Sequence, residues 1–161
     1  MCTAMNLRNL NIGLLILGAS LVNGCDDSYV SSIPNYPVSL QLNLTTTYPT
    51  FRNSINEFLT FKARRYEYDR IGFGGILVYS GLPDDYGNAV YYAFDMACPY
   101  EAQNNVRVYP VEDGYGQVKC EKCESVYDVA FGFGIPVSGP SKEALKKYKA
   151  TLSNDVLYIS R

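Results

Sequence analysis

The cysteines in the C-terminal half of the chain constrain it most. Cys98 opens the run Cys98-Pro99-Tyr100-Glu101, directly after the apolar stretch 89–94 and Asp95-Met96-Ala97. Cys120-Glu121-Lys122-Cys123 lies between Gln117-Val118-Lys119 and the apolar residues 126–130. Val, Tyr, Phe and Ile dominate these flanks, a composition that fits pleated, half-buried strands. Each cysteine group therefore occupies a loop beside a strand. Two such loops, brought together, can clamp a metal, an iron–sulfur cluster or a disulfide.

What the chain lacks narrows the chemistry. None of its 161 residues is histidine. That removes Ser-His-Asp and Cys-His catalysis, His-ligated zinc and any imidazole ligand to a cluster. The formal net charge of -2 leaves no basic footprint, so no nucleic-acid partner is expected. The length suits one domain with its own core.

The N-terminus reads as a targeting segment. Arg8 precedes an apolar run over 12–22, too short to span a bilayer comfortably, for which about 20 residues are needed. The run ends in Leu21-Val22-Asn23-Gly24-Cys25, which resembles a bacterial lipobox with Cys25 as the lipidated mature N-terminus. Asp26-Asp27 resembles the acidic sorting signal of Bacteroidetes lipoproteins. The expected organisation is a signal peptide over 1–24, a lipidated tether over 25–37 and a β domain over 38–161. The expected location is the bacterial cell envelope, at the periplasmic face or the outer-membrane surface. The membrane is the partner through the lipid, with other envelope proteins beside it. Cys2 leaves with the signal and Cys25 carries lipid, so Cys98, Cys120 and Cys123 remain in an oxidising compartment.

The rest of the chain reads as many short strands. Residues 38–44 alternate apolar and polar with a period of two. Residues 51–61 allow a helical turn or an irregular crossing. Residues 62–69, with Tyr66 and Tyr68, suit an exposed strand or sheet edge. Gly72, Gly74 and Gly75 turn the chain into the buried strand 76–79; with no helix following, they are a turn and not a phosphate cradle. Residues 81–87 form a hairpin loop, and 89–94 the returning strand. Residues 106–109 and 126–130 add further strands. Ser141 is a candidate N-cap for a short helix or turn over 141–148. Residues 149–152 and 156–159 make a closing hairpin. The predicted fold class is all-β, a sandwich or small barrel. Tyr91, Tyr92, Tyr127 and Tyr148 are expected as core aromatics with their hydroxyls at the surface. Asp84-Asp85, Glu112-Asp113 and the lysines at 142, 146, 147 and 149 read as solvated. No catalytic residue is expected, and no carboxylate pair is placed for glycosidase chemistry.

The order of these motifs resembles a Rieske domain, most strongly over 76–161 and most closely in the cysteine-bearing, histidine-poor lipoproteins of Bacteroidetes. Cys98 and Cys120 fall on the two cysteine ligand positions of that family. Tyr100 stands at its first histidine position and Cys123 at its second. Glu124 replaces the usual glycine, while Ser125, Tyr127, Gly132, Gly139 and Pro140 match. The resemblance implies an antiparallel β domain with Cys98 and Cys120 on adjacent loops and Gly139-Pro140 on a third. A true Rieske [2Fe-2S] centre needs two histidines, which this chain does not have.

Because the family's two loops abut, the resemblance implies a bridge from Cys98 to Cys120 or to Cys123, with no cofactor. Closing a loop of about two dozen residues is worth roughly 3 kcal/mol in the chain-entropy model. The alternative is zinc or an atypical [2Fe-2S] cluster on Cys98, Cys120 and Cys123, with Tyr100, Glu101 or Asp95 as a fourth ligand. A redox-active Cys120-x-x-Cys123 pair is a third reading; Glu121 and Glu124 are expected to raise its thiols. The expected function is a non-enzymatic envelope lipoprotein, structural or protein-interacting. The alternative is an electron-transfer or metal-binding module.

Overall fold

The computed structural model describes residues 31–161; the signal segment and Cys25 lie outside the described residues. Eleven strands and one short helix follow one another. They are β1 (Val38–Asn43), α1 (Pro49–Asn53), β2 (Glu57–Phe61), β3 (Arg70–Ile71), β4 (Ile76–Ser80), β5 (Tyr91–Asp95) and β6 (Val108–Pro110). Then come β7 (Gln117–Cys120), β8 (Val126–Asp128), β9 (Ile135–Ser138), β10 (Lys147–Ser153) and β11 (Val156–Ser160). The fold class is all-β, as the strand pattern predicts. One sheet runs β2-β4-β5-β10-β11-β1-β3 and a smaller one β6-β7-β8-β9, with antiparallel neighbours throughout.

The period of two explains how the sheets share their interior. On β4, Ile76 and Val78 face a core that also holds Leu40 and Leu42 of β1, Phe61 of β2 and Leu157 and Ile159 of β11. Strands near the two ends of the large sheet thus meet on one core, so the sheet curls around it. The other face of β4, Leu77 and Tyr79, enters a second core against the small sheet. The same alternation runs along β5: Tyr91 and Ala93 go to the first core, Phe94 to the second. Burial on both faces is why residues 76–79 read as an unbroken apolar run. Beyond β5 the parity continues, and Met96 and Cys98 point into the second core.

The predicted strand at 38–44 and the closing hairpin form, and the hairpin turns through Asn154 and Asp155, at φ 49° and 62°. A turn with two successive positive φ angles matches the twist of the strands it joins. Residues 51–61 contain the end of α1 and then β2.

Two expected elements do not form, and one strand that was not expected does. Residues 62–69 are bends and turns, not a strand. Asp69 Oδ2 accepts from the Arg65 and Tyr66 backbone N–H groups at 3.1 and 3.2 Å, so a carboxylate takes donors that a strand would have paired. Residues 141–148 are not helical. Leu145 N–H bonds Gly134 carbonyl at 2.9 Å, and Lys147 and Tyr148 pair with Phe94 and Ala93, so tertiary partners override the local signal. β9 was not predicted, because Pro136 and its flanking glycines mask it; it sits at a sheet edge, where proline is tolerated.

The hydroxyls of Tyr127 and Tyr148 are also not at the surface. Tyr127 is fully buried, and Tyr148 OH donates to Asp95 Oδ2 at 2.5 Å. Asp95 is itself buried, and its carboxylate also accepts from the N–H groups of Phe73, Gly74 and Ala97 at 2.8–2.9 Å. This acceptor fastens the glycine turn to the end of β5, three residues before Cys98. Residues 31–33 also pack on the domain. Ile33 is buried, and Ser31 and Ser32 bond the Glu143 carboxylate.

Candidate functional site

Cys98 arrives at the end of β5, held by its N–H to Val106 carbonyl at 3.1 Å and by Ala102 N–H to its own carbonyl at 2.9 Å. Cys120 ends β7 on the buried face that Val118 shares. Its N–H bonds Ser125 carbonyl at 2.9 Å, closing the loop that carries Cys123. Glu124, at φ 59°, makes the left-handed turn of that loop. This is the position where the family resemblance expects glycine, the residue that adopts such a φ without steric cost.

The three Sγ atoms lie within 4.8 Å of one another, and Cys98 and Cys123 are 3.6 Å apart. All three are free thiols; Cys98 and Cys120 are buried and Cys123 is half-buried. Tyr127 OH lies 3.3 Å from Cys98 Sγ, and Ser125 Oγ lies 3.2 Å from Cys123 Sγ. Ser125 Oγ also accepts from Ser141 N–H at 3.0 Å. That bond binds the third loop to the second, and Gly139 packs directly on the Ser125 backbone: a Cβ there would stand 2.5 Å from Ser125 Cα.

The thiols are not equivalent. Burial pushes Cys120 up to about 12, against partial relief from the Lys122 and Cys123 N–H groups. Burial also pushes Cys123 up, but hydrogen bonds from Ser125, Cys120 and Cys98 outweigh it, and this thiol falls below its ordinary value. Burial, then the contact with Cys98, raises the Tyr127 hydroxyl, which stays protonated. The flanking carboxylates that were expected to raise the pair are engaged elsewhere. Glu121 accepts from Arg107 N–H at 2.9 Å, and Glu124 pairs with Lys119 at 3.3 Å.

Each fourth-ligand candidate is exposed or has other partners. Tyr100 is 57% exposed, the Glu101 carboxylate holds Lys122 Nζ at 2.6 Å, and Asp95 is committed to its four donors. Sequence reasoning missed Tyr127 as a partner of the thiols. Its spacing was the available signal: it lies two residues from Ser125 and two from Val129, all on the buried parity of β8.

A Rieske centre takes two cysteines and two histidines, and the histidines do not exist here. Three thiols fall one short of the four protein ligands of a two-iron cluster, so a cluster would need an oxygen ligand. A single tetrahedral ion is one protein ligand short as well, but the sulfur spacing matches it. Zn–S bonds of about 2.3 Å place neighbouring sulfurs about 3.8 Å apart, close to the Cys98–Cys123 separation of 3.6 Å.

Two cysteine loops and the Gly139-Pro140 segment meet beside a four-stranded sheet, the arrangement that the resemblance to a Rieske domain implies. No family model matches the chain, and no curated protein matches it. Among solved structures it is similar to a chain of the "Complex of reduced oxygenase and oxidized ferredoxin in carbazole 1,9a-dioxygenase", with a TM-score of 0.45 and 11% identity, covering 74% of this chain and 99% of that one. It is also similar to the Sphingomonas yanoikuyae B1 ferredoxin, with a TM-score of 0.43 and 15% identity, covering 68% of this chain and 92% of that one.

Proposed function

We propose that the protein is a lipid-anchored envelope protein whose Rieske-like domain replaces the family's redox cluster with a three-thiol centre. The domain is non-enzymatic. The centre pins the Cys98 loop to the Cys120–Cys123 loop and fixes the surface that these loops present to other envelope proteins. Its occupant is one thiophilic ion of the zinc class, held by Cys98, Cys120 and Cys123. Such an ion, when bound, supplies a structural cross-link with no redox chemistry of its own. The observation that carries this reading is the convergence of the three Sγ atoms within 4.8 Å. The lipobox at Gly24-Cys25 supports the anchor and the envelope location.

A second reading rests on the Cys98–Cys123 separation. These two sulfurs come from different loops and are 3.6 Å apart, so a small movement brings them to the 2.05 Å of a disulfide. Metal analysis of protein purified without chelator, together with thiol counting by intact mass after alkylation, separates the two. One equivalent of zinc, with three thiols alkylated after chelation, supports the ion. One thiol and no metal supports the disulfide. Iron with acid-labile sulfide would overturn both in favour of an atypical cluster. For the anchor, Cys25→Ala is expected to abolish lipid labelling and release the chain from membranes.

A further inference from the structure

The segment that follows β8 carries an apolar face that no part of the described domain covers. Residues 131–137 alternate strictly: Phe131, Phe133, Ile135 and Val137 are 65%, 68%, 49% and 51% exposed. Between them, Gly132 and Gly134 are buried, packed so closely on Tyr92 and Phe94 that a Cβ would collide. The two glycines bring the backbone against the domain, and the four large apolar side chains of this short segment are left exposed. Contiguous exposed apolar surface of this kind marks an interaction site.

What lies opposite follows from where the anchored end of the chain enters the domain. Ser31 and Ser32 are fixed to the Glu143 carboxylate, Ser31 at 2.9 Å, and Lys146 Nζ holds Ile33 carbonyl at 2.7 Å. Leu145, between those two side chains in sequence, donates its N–H to Gly134 in the middle of the exposed row. The chain thus enters beside the row. Five residues lie between Cys25 and Ser31, a reach of about 20 Å when fully extended. A lipid on Cys25 keeps this side of the domain next to the bilayer. Lys147 adds a cation there, its Nζ 5.4 Å from the centroid of the Tyr92 ring, on which Gly132 packs. Strand addition by a second copy is less suited to the same edge, because Pro136 removes a donor from β9.

We infer that Phe131, Phe133, Ile135 and Val137 form a membrane-contact face that lies in the headgroup region when the Cys25 lipid holds the chain at the bilayer. The inference rests on the anchored reading above and adds an orientation to it. Apolar side chains beside cations insert to the headgroup–acyl boundary, with affinity that scales with the apolar area buried.

The chain contains no tryptophan, so one substitution introduces a unique fluorophore. Lipidated full-length Phe133→Trp is reconstituted in phosphatidylcholine–phosphatidylglycerol vesicles with and without brominated acyl chains. Tyr68→Trp, 65% exposed on the turn before β3, is the control. The expected result is a blue-shifted Phe133→Trp emission quenched about twofold by bromine, with Tyr68→Trp little changed. Vesicle flotation of the native chain and Cys25→Ala tests the anchor independently. Flotation with an unquenched Phe133→Trp overturns the contact face and leaves the anchor standing. A blue shift without bromine quenching means that protein covers the row, and also overturns the inference. Equal quenching of both reporters shows no preferred orientation and overturns it too. A native chain that neither floats nor carries lipid overturns the anchor and the contact face together.

Discussion

Asp95 and Cys98 lie three residues apart on one strand and its extension, and each is the heart of a buried polar centre. The two centres are built to opposite ends. Asp95 has four donors converging on two oxygens at 2.5–2.9 Å, all from the protein. Around the thiols, Cys98 and Cys123 meet each other, one tyrosine and one serine at 3.2–3.6 Å, and backbone N–H groups reach Cys120 and Cys123 from their own loop. A carboxylate satisfied in this way is complete and can do nothing but hold the glycine turn to β5. Three sulfurs drawn to one point, with longer and weaker contacts, retain coordinating capacity. The contrast is between a saturated carboxylate, which can only hold structure, and a thiol cluster that retains capacity to coordinate.

The sharpest way to break the comparison is to remove the saturated centre. Asp95→Ala leaves three backbone N–H groups without their acceptor, each worth about 1–3 kcal/mol when buried. We expect a loss of about 4 kcal/mol in urea denaturation, or failure to fold. Full stability in this variant would show that Asp95 is not the pin described here.

Next in size is the joint between the second and third loops. Gly139 is at φ 88°, and its missing Cβ would stand 2.5 Å from Ser125 Cα. Gly139→Ala should cost about 2 kcal/mol and weaken zinc binding, since backbone cannot yield as a side-chain tip can. Gly87 is the control: it has φ 80° but no atom within 4 Å of the added carbon. Gly87→Ala should cost about 1 kcal/mol, from the left-handed backbone alone, with zinc binding unchanged. Equal costs at the two sites would show that the loop contact contributes nothing.

How much of this could be read from the sequence depends on the range of the forces involved. β1 and the closing hairpin were legible because alternation and turn residues act locally. The Rieske-like order of motifs implied that two cysteine loops meet, and they do. The 141–148 segment was illegible: Ser141 looked like a helix cap, but Leu145 and Tyr148 are claimed by Gly134 and Ala93, far away in sequence. The destinations of the Tyr127 and Tyr148 hydroxyls were illegible for the same reason. A buried tyrosine announces its ring by apolar context, whereas its hydroxyl partner is fixed only when the sheets pack.

Tyr148 also gives the comparison a pH signature. Burial, then the Asp95 carboxylate, raises its hydroxyl above the ordinary tyrosine value. The unfolded chain loses this proton near pH 10, while the folded chain retains it. Its contribution to stability is therefore complete below about pH 10 and declines as pH rises above that. Tyr148→Phe should lower stability at pH 7 by about 1.5 kcal/mol and flatten the alkaline decline. An unchanged alkaline slope would assign that decline to other tyrosines, with Tyr79, which burial pushes up to about 12, as the next to replace.

The smallest effect is expected at the unsaturated centre, and it asks which thiol carries the reactivity. Ser125 Oγ serves both Cys123 Sγ and Ser141 N–H. Ser125→Ala should therefore cost about 1 kcal/mol, from the orphaned Ser141 donor. Its more telling consequence is chemical. In chelator-treated protein, Cys123 should be the first of the three to react with iodoacetamide near neutral pH. It is half-buried and its thiol is held below the ordinary value, whereas Cys120 is buried and pushed up to about 12. Without the Ser125 hydrogen bond, Cys123 should react more slowly, while Cys98 and Cys120 stay slow. Mass-spectrometric mapping of labelled peptides over time reads all three at once. If Cys123 keeps its rate in Ser125→Ala, its reactivity comes from exposure and its other hydrogen bonds, and the serine hydroxyl serves only to hold the third loop.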